Sequence, residues 1–452
     1  LTHDKHAVLI VGAGAAGLAA GRQLAEAGKR VCILEARDRI GGRIFTVQQS
    51  AANGPQTIPV ELGAEFVHGL PASTWNLVRE AKLDTYELDG AQWFFDGHKL
   101  QRSGDGRGGF EVLRHMSQWL ARQPEGADAT FAQYLRIANL DAEHAQQAAN
   151  YVEGFNAADR QLVSVAALVR QQRAEDAIQG DRIFHIRAGY SALLQFLADR
   201  FRAAGGKILL NSPVDTIRWA AGEVAMSIGG RRGHILRADQ AIITLPLGVL
   251  RAGTVKFDPV PSDIEVQAHR LEMGTALRIS CLFAEPFWRD PADGEHDPLP
   301  NLSFLFARGE RLPTWWTSTP DPVPLITAWV AGPRALALSQ EIGRAGGLQG
   351  LADAALEQLS RMFAIPLVRL REKSISWHAH DWQTDPYSLG AYSYVPAGAL
   401  DASGLMSIPV ANTLFFAGEH TDVQGHWGTV HAALNSGLRA AGQLLGSSMS
   451  FL

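Results

Sequence analysis

Residues 8–35, VLIVGAGAAGLAAGRQLAEAGKRVCILE, constrain the fold more than any other stretch. An apolar run over 6–11 reads as a buried strand. Three glycines follow as Gly12-x-Gly14-x-x-Gly17. Residues 15–27 then carry a helical pattern, with Gly28 placed to end it. A second strand is expected over 31–35, closing a β-α-β unit with very short connections. Gly12 allows the tight turn, Gly14 lets backbone approach a pyrophosphate, and Gly17 lets helix pack on strand. The start of that helix offers N–H groups and a positive dipole end to phosphate. Glu35 ends the second strand, where an acid is expected on ribose hydroxyls. That acid argues against a 2′-phosphate, but it does not separate NAD from FAD.

The rest of the chain must wrap around this unit. At 452 residues it is too long for one ordinary core, and two domains are expected. Residues 73–202 are dominated by Ala-, Gln- and Leu-rich helical stretches. Strand-like alternation returns over 207–219 and 238–246, then in "LRISCLFAEPFW", "PLITAWVAGP" and "SISWHAHDW". A last Rossmann-like strand, "LFFAGEH", leads into a helix from about His431. The Pro-, Asp- and Gly-rich run 290–300 reads as a surface loop. Dinucleotide-type segments thus sit at the start, middle and end. The expected architecture is α/β (α+β overall): a Rossmann-like dinucleotide-binding domain of 1–72, 203–256 and 405–452, interleaved with a sheet-plus-helices substrate domain of 73–202 and 257–404.

The net charge of −5 gives no strong pull toward nucleic acid or anionic lipid. The apolar run 7–20 is too short to span a bilayer, which takes ~20 residues. Cys32 and Cys281 both lie in apolar, strand-like runs and are expected as reduced thiols, consistent with a cytoplasmic setting. His378 and His380 alternate on a strand, with no acid or cysteine at metal spacing in sequence, so they read as structural. His426 and His431 read the same way, and no metal site is expected.

The segment "EARDRIGGRIFT" matches the pattern Glu-Ala-x-x-Arg-x-Gly-Gly-Arg-x-x-Thr. Here the chain resembles the flavin amine oxidases, a family that includes monoamine oxidases, polyamine oxidases and lysine-specific histone demethylases. The resemblance extends through "VELGAEFVHG" (60–69), "NSPVDTIRW" (211–219), "GTALRISCLFAEPFW" (274–288), "WQTDPYSLGAYSYVPAG" (382–398) and "LFFAGEHTDVQGHWGTVHAALNSG" (414–437). It implies FAD as cofactor. Gly12, Gly14, Gly17 and Glu35 would bind its ADP half, with Arg37 near the ribose and Val214 on the adenine side. Gly41, Gly42 and Arg43 would face the pyrophosphate and flavin, Gly418 and Glu419 the ribityl-phosphate region, Val430 the pyrimidine edge, and Trp382 the ring. Monoamine oxidases tether their flavin to a cysteine where this chain has Ala391, so the flavin is expected to be non-covalent.

The resemblance also implies where the substrate sits. Tyr392 matches one wall of the family's aromatic cage, whereas Thr429 stands where oxidases often have the second ring. That leaves half a cage unless Trp427 swings in. His68 falls where several animal polyamine oxidases place a histidine that reaches a substrate nitrogen. Arg278 replaces a lysine that holds water against the flavin. An arginine cannot lose its proton there, so reoxidation by dioxygen is expected to be slow. The implied reaction is hydride loss from an amine's α-carbon to flavin, hydrolysis of the imine, and hydrogen peroxide from dioxygen. A small-molecule amine, polyamine-like, is the expected substrate. One alternative is a flavin amino-acid oxidase, or a dehydrogenase or desaturase of the same fold, with Arg278 holding a carboxylate. Another is a non-catalytic scaffold flavoprotein.

Overall fold

A computed structural model of the chain describes residues 6–51, 57–102, 108–124, 126–138, 140–229, 233–289, 297–344 and 347–446. Within the expected surface loop, 290–296 lie outside the described residues.

The glycine-rich start folds as its pattern dictates. His6–Val11 is a strand, buried from Val8 onward, and Ala15–Glu26 is the helix that follows. Gly28 has a φ of +79°, a left-handed geometry that suits glycine and ends the helix. Val31–Leu34 returns parallel to His6–Val11, with Ile10 opposite Ile33. Lys207–Leu209 and His234–Ile243 extend this parallel sheet on its two sides. Leu414–Phe416 pairs parallel with the end of His234–Ile243. Val214–Ala220 and Glu223–Ile228 add an antiparallel flap, with Lys256–Asp258 at its edge. The C-terminal helix Val430–Leu444 packs against Ala15–Glu26, and Ser191–Ala203 covers the same core through Leu194, Leu197 and Phe201. The helix Ser191–Ala203 therefore serves the dinucleotide sheet, although its sequence lies mostly within 73–202.

A second, seven-stranded sheet runs in the order Ser374–Ala379, Ala276–Phe283, Leu325–Ala331, Thr314–Thr317, Leu302–Phe306, Ala91–Phe95, Leu100–Arg102. It is antiparallel except where Leu302–Phe306 meets Ala91–Phe95. Helices Pro333–Arg344, Leu348–Met362 and Leu367–Lys373 cover one face. Residues 73–202 are less uniformly helical than their composition suggests. Besides the helices Ala142–Phe155 and Val165–Ala177 they hold Thr85–Glu87, Ala91–Phe95, Leu100–Arg102 and Ile183–Ile186 as strands. Those strands are too short to show a clear period of two. Ala91–Phe95 and Leu100–Arg102 pair as a local hairpin, whereas Thr85–Glu87 pairs with the distant Ile183–Ile186 and Ala91–Phe95 also meets Leu302–Phe306. Among the described residues, no helix is long and apolar enough to cross a membrane.

Candidate active site

A single cavity of about 1630 Å³ runs from the first sheet to the second. That exceeds the ~300–1,000 Å³ of an ordinary small-ligand site, so it has room for a dinucleotide and a second molecule. Of the residues assigned in sequence to cofactor or substrate, all but Gly17 line it. Gly17 works from behind. A Cβ there would stand 2.0 Å from the Gly12 carbonyl oxygen, so glycine is what lets helix meet strand.

The dinucleotide end is a backbone cradle. Gly14 precedes the helix Ala15–Glu26, and no side chain caps that N-terminus. Its orphan N–H groups are the anion-binding kind. The second glycine pair docks on the first: Gly41 N–H donates to the Ala13 carbonyl at 2.9 Å, and Gly14 and Gly41 form a β-bridge. A Cβ on Gly14 would meet nothing closer than the Gly41 oxygen at 3.9 Å, so its bareness is not needed for packing. It leaves room for a ligand. Glu35 is 4% exposed and accepts from Ala13 N–H at 2.8 Å and Arg37 N–H at 2.9 Å. Each carboxylate oxygen retains acceptor capacity beyond those bonds. Val214 lines the cavity beside Ser212 and Pro213. Arg37 is held by Asp385 at 2.5 Å.

Toward the other end the C-terminal segments close over the cradle. Arg43 donates to the Ala391 carbonyl at 2.7 Å and to Glu419 at 2.8 Å. Glu419 also accepts from the Ser393 hydroxyl and the Gly428 N–H, so it serves as a structural hub as well as lining the cavity. Burial alone would raise its carboxyl, but the charges of Arg43 and His420 hold it below the usual range. Trp382 is buried, donates from Nε1 to the Leu62 carbonyl at 2.8 Å, and lies against Gly63. His380 packs on it at 4.1 Å between centroids. His380 also has an acid partner, Asp385 at 2.9 Å, which the sequence reading did not find. The pair is not part of a metal cluster; among the described residues no group of three or more such side chains could hold a metal.

Beyond Trp382 the cavity becomes aromatic. The Tyr392 hydroxyl donates to the Phe155 carbonyl at 2.6 Å. Thr429 caps the helix Val430–Leu444: its hydroxyl accepts from Ala432 N–H at 3.2 Å and donates to the His426 carbonyl at 2.7 Å. Trp427 does not complete a cage by swinging in. Its indole N–H is bound by Ser403 and the Asp422 carbonyl, both at 3.0 Å, and its ring belongs to the core. Aromatic walls come instead from elsewhere, as Phe66, Phe304, Trp316 and Trp329. His68 stands among them, with Phe66 and Phe155 edge-on at 5.8 and 5.7 Å. Burial pushes its imidazole down to about 4.

Arg278 is 3% exposed, and its charge is already matched. It pairs with Glu65 at 2.6 Å and donates to the Gly63 carbonyl at 2.8 Å, with the Trp316 ring 5.6 Å away. Trp316 Nε1 donates to the same Glu65 carboxylate at 3.1 Å. Glu65 sits in the quoted segment 60–69, but nothing in its local spacing marks it as the partner of a residue more than two hundred positions away.

The comparisons with known proteins agree with this geometry. The family model described as flavin containing amine oxidoreductase matches residues 15–445. Among curated relatives, lysine-specific histone demethylase 1 homolog 2 of Arabidopsis thaliana is 30% identical over 97% of this chain. The match spans 58% of that longer protein. Polyamine oxidase 3 of Oryza sativa subsp. japonica is 28% identical over 96% of this chain and 88% of its own length. Wild-type putrescine oxidase bound to putrescine superposes with a TM-score of 0.80 at 20% identity, covering 98% of this chain and 99% of that one. Cyclohexylamine oxidase from Brevibacterium oxydans IH-35A gives 0.77 at 20% identity, over 98% and 100%. With a fold shared along its whole length and a family match from the first helix to the last, the chain belongs to the flavin-containing amine oxidoreductases.

Proposed function

We propose that the protein is an FAD-dependent amine oxidase acting on a small amine, with polyamine-like substrates favoured. The observation that carries this reading is one continuous cavity joining a dinucleotide cradle to a chamber walled by Tyr392, His68, Phe66 and Trp316. Gly12, Gly14 and the first turn of Ala15–Glu26 would hold the pyrophosphate, Glu35 the ribose, and Val214 the adenine side. Gly41, Gly42, Arg43, Gly418, Glu419, Val430 and Trp382 would surround the flavin end. FAD, when bound, supplies a two-electron hydride acceptor. Ala391 offers no thiol, so binding there is non-covalent.

The chain's own residues orient the amine and keep it dry. Tyr392 and the neighbouring rings present π faces to an amine nitrogen. Thr429, fixed by its capping bonds, leaves the second side of the cage open to a bulkier or secondary amine. His68 is neutral at working pH, so it can hydrogen-bond a substrate nitrogen without repelling an ammonium. The overall reaction consumes amine, water and dioxygen. It yields an aldehyde or ketone, a shorter amine or ammonia, and hydrogen peroxide. Polyamine oxidases and a putrescine oxidase among the similar proteins support the substrate class. The amino-acid oxidase alternative needs an arginine free for a carboxylate, and Arg278 is engaged by Glu65.

The test is spectroscopic. Purified protein should show a flavin band near ~450 nm and release its cofactor on acid precipitation. Anaerobic spermidine, acetylated spermine, putrescine or benzylamine should bleach the band, and air should restore it. Bleaching by L-amino acids alone would replace this reading with an amino-acid oxidase. Protein that takes up no FAD would refute it.

A further inference from the structure

The cavity continues past Tyr392 and His68 along the helices Ala142–Phe155 and Val165–Ala177. Its wall can be followed ring by ring. Tyr392 bonds the Phe155 backbone, and the Phe155 ring stands edge-on to His68. Phe155 then stacks on Tyr151, with centroids 5.3 Å apart and planes 10° from parallel. Next comes Glu175, whose charge adds to burial in raising the Tyr151 phenol.

Glu175 is an unusual group for such a wall. It is half-buried, and a carboxylate drawn partly out of water is ordinarily matched by a cation. Here its hydrogen-bond partner is an amide: Gln171 Nε2 donates to Oε1 at 2.9 Å. Gln171 is itself fixed, since its Oε1 accepts from Asn156 Nδ2 at 2.7 Å, and Asn156 is 9% exposed. The charged group acting on Glu175 is another acid, Asp176, and burial raises its carboxyl to about 7. Two polar side chains, Asn156 and Gln171, thus hold the carboxylate against the cavity, and neither is a cation. Aromatic faces line the way to it, a surface that suits methylene groups and a passing ammonium alike.

We infer that Glu175 receives a second ammonium of the substrate, so that the site selects α,ω-diamines and polyamines over monoamines. The reacting nitrogen sits by Tyr392 and His68, the alkyl spacer lies along Phe155 and Tyr151, and the distal charge meets the Glu175 carboxylate. The inference rests on the amine-oxidase reading, and it concerns a binding step that can be measured separately from turnover.

The experiment compares FAD-loaded native protein with Glu175→Gln, which keeps the shape and the Gln171 contact but not the charge. Calorimetric titration uses C4 to C10 α,ω-diamines and the n-alkylamines of equal length. Anaerobic flavin bleaching by the same amines gives KM-like and rate terms apart. The native protein should bind its best diamine at least tenfold tighter than the matching monoamine. Glu175→Gln should shrink that ratio to within about threefold, with the loss in binding and not in the limiting bleaching rate. Asp176→Asn, a neighbouring loss of charge, should leave the ratio high. Equal losses for diamine and monoamine, or an unchanged ratio, would overturn the inference. If diamines discriminate the two proteins but no amine bleaches either flavin, the distal site stands and the oxidase reading falls.

Discussion

Arg278 and Glu65 form a buried pair whose value lies in its balance. Breaking such a pair from one side leaves a charge uncompensated, at a cost of roughly 3–5 kcal/mol. Glu65→Gln should therefore lower unfolding stability by about that amount, read from a denaturant midpoint at constant slope. Arg278→Lys is a gentler change with a different readout. The guanidinium serves Glu65 and the Gly63 carbonyl with two separate N–H groups. Lysine has a compact head that cannot reproduce that fork, and it can give up its proton. If the arginine slows dioxygen, Arg278→Lys should speed air reoxidation of the amine-reduced protein on the order of tenfold, a ~1.4 kcal/mol change in barrier. Stopped-flow mixing with oxygenated buffer measures it, and an unchanged rate would confine Arg278 to a structural role.

At the scale of an element, the first strand-turn-helix separates two kinds of glycine. Gly17→Ala would drive a methyl to 2.0 Å from the Gly12 carbonyl, so the protein itself should fold poorly. Gly14→Ala meets no such obstacle and has an ordinary extended backbone, with φ −79° and ψ −174°. Losing a glycine N-cap costs the free protein no more than about 1 kcal/mol. FAD affinity should nevertheless fall by at least tenfold, because the methyl occupies the approach to the helix N-terminus. Fluorescence titration of apoprotein, beside its melting curve, distinguishes these effects. Equal FAD affinity in Gly14→Ala would remove the pyrophosphate from this turn. This element was legible in sequence because all its determinants lie within 8–35: a short-range pattern reports a short-range structure. The chamber was not. Tyr392 and His68 stood out by resemblance, but Trp316, Glu65 and Glu175 reach the site through sheet pairing and helix packing. Pairing between distant segments leaves no periodic trace.

Across the whole molecule, interleaving makes the interior rich in titratable groups. The loop bearing Arg37 and Arg43 is bound to Asp385, Ala391 and Glu419 of the far C-terminal region, so the cradle is complete only when distant segments meet. The order of segments along the chain anticipated that interleaving, but not its electrostatic consequence. Burial lowers the imidazoles of six histidines: His68, His185, His378, His420, His426 and His431. For two of them, His68 and His420, the value is about 4. In the unfolded chain each titrates near ~6.5. Below that pH unfolding takes up protons, so these groups make stability fall as pH drops from about 6.5 toward 4. Three carboxyls, Glu61 and Glu153 buried and Glu175 half-buried, act in the opposite sense. Glu61 and Glu175 are raised to about 7, and Glu153 is raised as well. They titrate near ~4.3 when unfolded, so between about 4.3 and 7 unfolding releases their protons and acid favours the fold. Carboxyls that the fold holds below their ordinary range, Asp385 and Glu419 among them, act on the histidines' side, so unfolding takes up protons on balance. The melting temperature should therefore fall between pH 6.5 and 4.5, less steeply than the histidines alone would dictate. Glu61→Gln removes one opposing group, whose carboxylate accepts from Tyr190 N–H and the Thr46 hydroxyl, without placing a new charge in the core. Its melting temperature should decline more steeply with acid than the native protein's over the same range, whatever its value at pH 7. A parallel or shallower decline, followed by scanning calorimetry at half-unit pH steps, would mean that the Glu61 carboxyl titrates in the fold as it does in the unfolded chain.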